Sequence, residues 1–60
     1  MDYLPSNPHM LVSAVNMMLR DGEFENLEDL CRYYDREESE LVQLLEANGF
    51  VYDAENKQFK

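Results

Sequence analysis

The sequence predicts a mainly α domain with three helices and a small C-terminal β-hairpin. Three segments place apolar residues at helical spacing, and each follows a polar residue that can cap a helix. After residue 49 the pattern changes to two short β-compatible runs separated by polar residues. A chain of 60 residues has room for one hydrophobic core. We therefore expect a single domain over residues 1–60.

The first helix is expected over residues 8–20, after an N-terminal arm formed by residues 1–7. Asn7 can accept hydrogen bonds from the first free amides, and Pro8 has the φ that the first helical position needs. Gly22 can adopt a left-handed conformation and end the helix. The polar residues of this helix form one narrow stripe, and its other positions are apolar. Such a helix should be covered on more than one side.

The second and third helices are expected over residues 27–34 and 36–48. Asn26 precedes the second helix as its cap. Asp35 and Glu38 have the spacing of a capping box and should start the third helix. The apolar positions of the second helix recur at the interval of one buried face: Leu27, Leu30, Cys31 and Tyr34.

The hairpin is expected over residues 50–60, with strands over 50–52 and 58–60. Gly49 separates it from the third helix, where a left-handed cap is predicted. An isolated two-stranded hairpin is only marginally stable in water. We therefore expect its aromatic side chains to pack on the helices.

The buried positions of residues 27–60 have a recognisable spacing: Leu27, Leu30, Cys31, Tyr34, Leu41, Leu45, Gly49 and Phe50. This spacing resembles that of winged helix-turn-helix domains, in which a small residue at the Cys31 position lets two helices cross closely and a β-wing follows the last helix. The turn differs from that family, with Asp35 and Arg36 where glycine and an aliphatic residue are usual. The resemblance implies a winged-helix-like core, and it implies DNA binding only weakly because fold and function separate.

A second resemblance covers the whole chain. It rests on Leu4-Pro5, Asn7-Pro8-His9-Met10-Leu11, Ser13, Val15-Asn16, Leu19-Arg20-Asp21, Leu27, Leu30-Cys31, Gly49-Phe50, Tyr52, Asn56 and Gln58-Phe59. This set resembles a small bacterial family catalogued as domain of unknown function 4250. The resemblance implies a stand-alone protein of about this length, and it implies no activity, cofactor or catalytic residue.

The charge is concentrated in one part of the chain. The formal net charge is −8. Residues 23–49 contribute −7 of it, because they contain nine acidic residues and only two basic ones, Arg32 and Arg36. A strongly negative surface repels phosphate backbones and anionic lipid. The outward positions of the third helix, which would read DNA, include Glu37, Glu38, Glu40 and Glu46. The sequence therefore disfavours nucleic acid as a partner.

The compartment is expected to be the cytoplasm. The only cysteine, Cys31, cannot form an internal disulfide. No apolar run approaches the roughly 20 residues that cross a bilayer, and the first residues do not resemble a signal peptide.

We expect no catalytic residue, cofactor or metal. Cys31 lies on a predicted buried face, which favours an inert packed thiol. His9 is the only histidine and has no second ligand at metal-binding spacing. Asp53 and Glu55 superficially resemble the start of a calcium loop, but Gln58 stands where that loop needs glycine. The acidic residues are expected to be a solvated face.

The function expected from these patterns is a non-catalytic protein-interaction module. The apolar surplus of the first helix is either covered by the arm and the hairpin or exposed as a methionine-rich patch for a protein partner or a second copy of the chain. The candidate partner-binding residues are Met10, Val12, Met17, Met18, Arg32, Tyr33, Glu37, Glu38 and Glu40. Three alternatives stay open: a nucleic-acid-binding regulator, an acidic antagonist of a basic DNA-binding surface, and a small-ligand sensor.

Overall fold

The fold was obtained as a computed structural model that describes residues 3–60. Met1 and Asp2, the first residues of the expected arm, lie outside the described residues. Within residues 3–60 the chain forms three helices and then two antiparallel strands: α1 (Pro8–Arg20), α2 (Leu27–Tyr33), α3 (Glu38–Ala47), β1 (Tyr52–Asp53) and β2 (Gln58–Phe59). The predicted mainly α fold with a C-terminal hairpin is confirmed. No helix in this part of the chain is both long and apolar enough to cross a membrane.

Side chains cap the first two helices as their sequences predict. The Asn7 Oδ1 atom accepts hydrogen bonds from the His9 and Met10 amides at 2.9 and 3.2 Å. The Asn26 Oδ1 atom accepts one from the Asp29 amide at 2.8 Å. These bonds satisfy amides that the first turn of a helix leaves without a backbone partner.

All three helices end in the same backbone motif, in which the residue after the C-cap has a positive φ. That residue is Gly22 at 80°, Asp35 at 56° and Gly49 at 90°. In each case the next amide donates back to the carbonyl three residues before the cap, as from Phe50 to Leu45 at 2.8 Å. These are Schellman motifs, which satisfy the last carbonyls of a helix.

The expected capping box of Asp35 and Glu38 is wrong, and α3 begins at Glu38 instead of residue 36. Asp35 instead belongs to the motif that ends α2. Its left-handed backbone conformation lets the Arg36 amide donate to the Cys31 carbonyl at 2.8 Å. The N-cap of α3 is Glu37, whose side chain makes no capping hydrogen bond. The turn between α2 and α3 is therefore built by backbone hydrogen bonds, with an aspartate at a position that favours glycine.

The core draws on every element and on the N-terminal arm. Its fully buried side chains are Leu11, Val15, Leu27, Leu30, Cys31, Leu41 and Leu45. Leu4 from the arm and Phe59 from β2 belong to the same cluster. Val12 and Met18 are part of it too, with 6% and 3% of their surface exposed. The expectation that these two residues reach a partner is therefore corrected, because arm, hairpin and helices already enclose them.

Asn16 fixes the hairpin to α1. Its side-chain amide pairs with the backbone of Phe59, donating to the carbonyl at 3.1 Å and accepting from the amide at 2.7 Å. The Phe59 N–H and C=O make no hydrogen bonds to its partner Tyr52, because the hydrogen-bonded pair of the hairpin is the next one, Val51 and Lys60. Gln58 adds a bond from its Nε2 atom to the Asn16 carbonyl at 2.9 Å. Asn16 thus covers the outer edge of β2, which would otherwise be open to other strands.

Candidate protein-interaction surfaces

The residues expected to contact a partner fall on two separate surfaces and in the core. Met10 and Met17 are exposed on α1, whereas Val12 and Met18 are buried. Four others line a concave surface beside α2 and α3: Arg32, Tyr33, Glu37 and Glu38. Glu40 is exposed on α3 and is not among the residues that line this concavity.

The first surface, which we call the α1 stripe, consists of Met10, Ser13 and Met17. These residues lie three and four positions apart and therefore share one face of the helix. Met10 is 62% exposed and Met17 is 43% exposed. Arg20 is the only charged residue in α1, so the α1 stripe is an apolar surface without acidic neighbours on its own helix.

The second surface, which we call the α2–α3 groove, consists of three adjoining clefts of about 290, 370 and 300 Å³. The first and second clefts share Asp35 and Arg36. The second and third share Glu28 and Glu38. The groove therefore runs from the end of α2, across the start of α3, to the hairpin.

Tyrosine rings form one end of the α2–α3 groove. Tyr3 and Tyr33 line it and are 76% and 70% exposed. Tyr33 packs edge-on against Tyr34 with ring centroids 4.9 Å apart, and Phe24 lies 5.4 Å from Tyr33. Tyr34 is anchored to the core by a hydrogen bond from its hydroxyl to the Met18 sulfur at 3.6 Å. The exposed face of Tyr33 is thus presented on a packed aromatic base of Phe24 and Tyr34.

Carboxylates occupy the middle of the α2–α3 groove. Arg32 is engaged by acids of its own helix, at 2.7 Å from Glu28 and 3.7 Å from Asp29. Among residues 3–60, by contrast, no ion pair reaches Asp35, Glu37 or Glu38. Those three carboxylates retain their capacity to bind a cation from outside.

Glu38 lies at the centre of the groove, where α2, α3 and β1 meet. Burial is the main reason that the pKa of the Cys31 thiol rises to about 11, and the Glu38 charge raises it further. Burial also raises the pKa of Tyr52, again with Glu38 as the second cause. One carboxylate therefore influences residues of two different elements, Cys31 in α2 and Tyr52 in β1.

The Asp53 carboxylate is used within the hairpin. The Asp53 Oδ2 atom accepts from the Asn56 side chain at 2.8 Å and contacts the Lys60 ammonium at 2.9 Å. These hydrogen bonds lower the pKa of the Asp53 carboxyl to about 2. The Glu55 amide donates to Asp53 Oδ1 at 3.1 Å. In the described part of the chain, no group of three His, Cys, Asp or Glu residues is arranged to hold a metal ion.

Sequence reasoning missed much of the lining of the groove. Tyr3, Asp35 and Arg36 line its first cleft, and Tyr52 and Lys57 line its third. A signal existed in the consecutive run of two tyrosines, an aspartate and an arginine at the end of a short helix, which combines aromatic and charged side chains at one turn. The hairpin residues carry no such signal, because only the docking of the hairpin brings them to α2.

Comparison with known proteins gives a family for nearly the whole chain. The model of a family described as a domain of unknown function (DUF4250) matches residues 5–59. No curated protein and no solved structure matches the chain.

Proposed function

This chain belongs to the DUF4250 family, and from that premise we propose that it is a non-catalytic protein-interaction module of the cytoplasm. The observation that carries the proposal is the exposure of Met10 and Met17 on a face of α1 that has no acidic residue. The core beneath them is complete. The total surface of 4106 Å² is close to the roughly 4100 Å² expected for a compact monomer of this mass. The exposed parts of Met10 and Met17 are therefore available for contact with a partner.

A second copy of the chain is the partner that we propose for the α1 stripe. Two chains that each carry a net charge of −8 repel one another, so they can approach closely only through a surface without acids. When two α1 helices pack antiparallel about a two-fold axis next to Ser13, Met10 of one copy faces Met17 of the other. The small Ser13 side chain lets the helices cross at close distance.

This association is weak. Complete burial of a methionine contributes about 1.5–3 kcal/mol, and Met10 and Met17 are already partly buried. Bringing two proteins together costs at least about 4 kcal/mol. The exposed parts of the four methionines in a dimer supply about 3–6 kcal/mol in total, which leaves at most about −2 kcal/mol and a dissociation constant on the order of tens of millimolar. The protein is then mostly monomeric when dilute and forms dimers where it is concentrated.

The direction of the pKa shifts argues against Cys31, Tyr52 and Asp53 as general acids or bases at neutral pH. General acid or base catalysis works best with a pKa near the ambient pH. In this structure the pKa of Cys31 rises to about 11, that of Asp53 falls to about 2 and that of Tyr52 rises above its ordinary value. Each of these shifts leads away from neutrality.

Sedimentation equilibrium tests the proposal. Between about 10 µM and about 1 mM protein, the average mass should rise above 7.1 kDa. The rise should be larger at high salt, because salt screens the repulsion between the two copies. Met17→Glu should suppress it by placing an acid in the contact. Val51→Glu is the matched control, since Val51 is exposed on the hairpin and the change in charge is the same. A mass that stays constant, or an equal effect of both variants, would contradict the proposal.

Nucleic-acid binding is the second candidate function, and the order of the elements favours it. α2 and α3 are joined by the four-residue turn 34–37 and followed by a hairpin, an order that is also found in winged helix-turn-helix domains. The charge opposes it, because α3 exposes Glu38, Glu40 and Glu46 around Gln43. A gel-shift at low salt, where phosphate contacts are strongest, should show no complex with duplex DNA. A complex that Gln43→Ala weakens would establish this second function.

A further inference from the structure

We propose that the α2–α3 groove binds an extended segment of a partner protein that carries arginine at alternate positions. This inference goes beyond the self-association of the α1 stripe and uses a different surface. It is carried by the continuity of the three clefts, by the tyrosine rings exposed in them and by carboxylates that have no ion pair among the described residues.

The dimensions of the α2–α3 groove fit an extended peptide. The molecule is 25 Å across in its longest directions, and an extended chain advances about 3.3 Å per residue. A segment of about eight residues therefore crosses the whole face. Its side chains alternate between the two sides of the backbone, so every second residue faces the groove.

The order of side chains along the α2–α3 groove selects arginine. From one end to the other, aromatic rings at Tyr33 and Tyr52 lie on either side of carboxylates at Asp35 and Glu38. A guanidinium group stacks on aromatic rings and binds carboxylates through two parallel hydrogen bonds, whereas an ammonium group does neither as well. Arginines spaced two residues apart can meet a ring and a carboxylate in succession.

The charge of the surrounding surface also favours a basic segment. Residues 23–49 contain nine acids and two arginines, and this field attracts cations from a distance. Three cations also line the groove: Arg32, Arg36 and Lys57. Arg32 is neutralised by Glu28 and Asp29, and Lys57 lies only in the third cleft. Arg36 lines the first two clefts, makes no ion pair among residues 3–60 and repels an incoming guanidinium. Removing this charge should strengthen binding more than removing the charge of Arg20, an exposed cation that does not line the groove, and this difference distinguishes the groove from general attraction by an acidic protein.

Fluorescence anisotropy with a labelled peptide of alternating arginine and alanine, about eight residues long, tests the inference on the full chain. We expect saturable binding that weakens as salt rises, and no binding of the same peptide with glutamine in place of arginine. Glu38→Gln should weaken binding about threefold to tenfold. Arg36→Gln should strengthen it by a similar factor, and Tyr33→Ala should weaken it.

Glu46→Gln is the matched control, because Glu46 is an exposed acid of the same helix that is not among the lining residues of the groove. It should change the affinity less than twofold. An equal loss for Glu38→Gln and Glu46→Gln, weaker binding in Arg36→Gln, or equal binding of the glutamine peptide would overturn the inference. Met17→Glu should leave peptide binding unchanged, and Glu38→Gln should leave self-association in place. Either proposal can therefore fail without the other.

Discussion

Replacing Asn16 by alanine should separate the hairpin from α1. The change removes both hydrogen bonds between the Asn16 side chain and the Phe59 backbone, at 3.1 and 2.7 Å. Each bond contributes about 0.5–1.5 kcal/mol, and a buried partner left unpaired adds a penalty. Because alanine has a higher helix propensity than asparagine, the substitution also stabilises α1 by up to about 0.7 kcal/mol. The net loss is about 2 kcal/mol, near half of the stability that a domain of this size usually has.

Urea unfolding followed by far-ultraviolet circular dichroism measures this loss. With a slope of about 1 kcal/mol per molar urea, the midpoint should fall by about 2 M. Ser13→Ala is the matched control, because Ser13 is an exposed residue of the same helix and its side chain makes no hydrogen bond within residues 3–60. Its midpoint should stay constant or rise slightly through helix propensity.

Amide hydrogen exchange locates the effect. In Asn16→Ala, the Phe59 amide should exchange faster by a larger factor than the Leu45 amide in α3, because the hairpin opens before the helices. A midpoint that matches that of Ser13→Ala, with unchanged protection of Phe59, would refute the idea that this side chain holds the hairpin.

Three further predictions follow from individual residues. Asp35→Gly should raise the free energy of unfolding by up to about 1 kcal/mol, because φ at this position is 56° and a side chain there is strained. Asp35→Ala removes the same carboxylate and should give no such gain in urea unfolding. Asp53 should titrate at about 2 when followed by NMR; its contribution to stability is then complete above pH 3.8, its ordinary pKa, and is lost as the pH falls towards 2. A midpoint near 3.8 would contradict the hydrogen bonds assigned to it. Cys31 should react with a disulfide reagent much more slowly in the folded protein than in urea, because it is buried and its pKa is about 11; rapid labelling of the folded chain would show that the thiol is accessible.

Much of the fold could be predicted because its signals are local. Asn7 and Asn26 mark helix starts through bonds from amides two or three residues away, and Pro8 marks one through its fixed φ. Gly22 and Gly49 mark helix ends through their own backbone conformation. Short-range geometry of this kind is set by the residues themselves and hardly depends on the rest of the chain.

The errors arise where two local signals compete or where distant parts of the chain meet. Asp35 can cap α3 or end α2, and the backbone hydrogen bonds that close α2 prevail. Val12 and Met18 are buried in a core that Leu4 and Phe59 join from the two ends of the described chain. The third cleft of the α2–α3 groove likewise forms only when the folded hairpin brings Tyr52 and Lys57 near Glu28 and Glu38. Periodicity within one helix contains no information on these contacts.

The most direct test of the account is a map of amide chemical shifts in the isotope-labelled protein. Raising the protein concentration should move the signals of Met10, Ser13 and Met17, and adding the arginine peptide should move those of Tyr33 and Glu38, so that the two sets do not overlap. If instead both perturbations move the signals around Gln43 on α3, or neither moves any signal, the assignment of two separate protein-binding surfaces is contradicted.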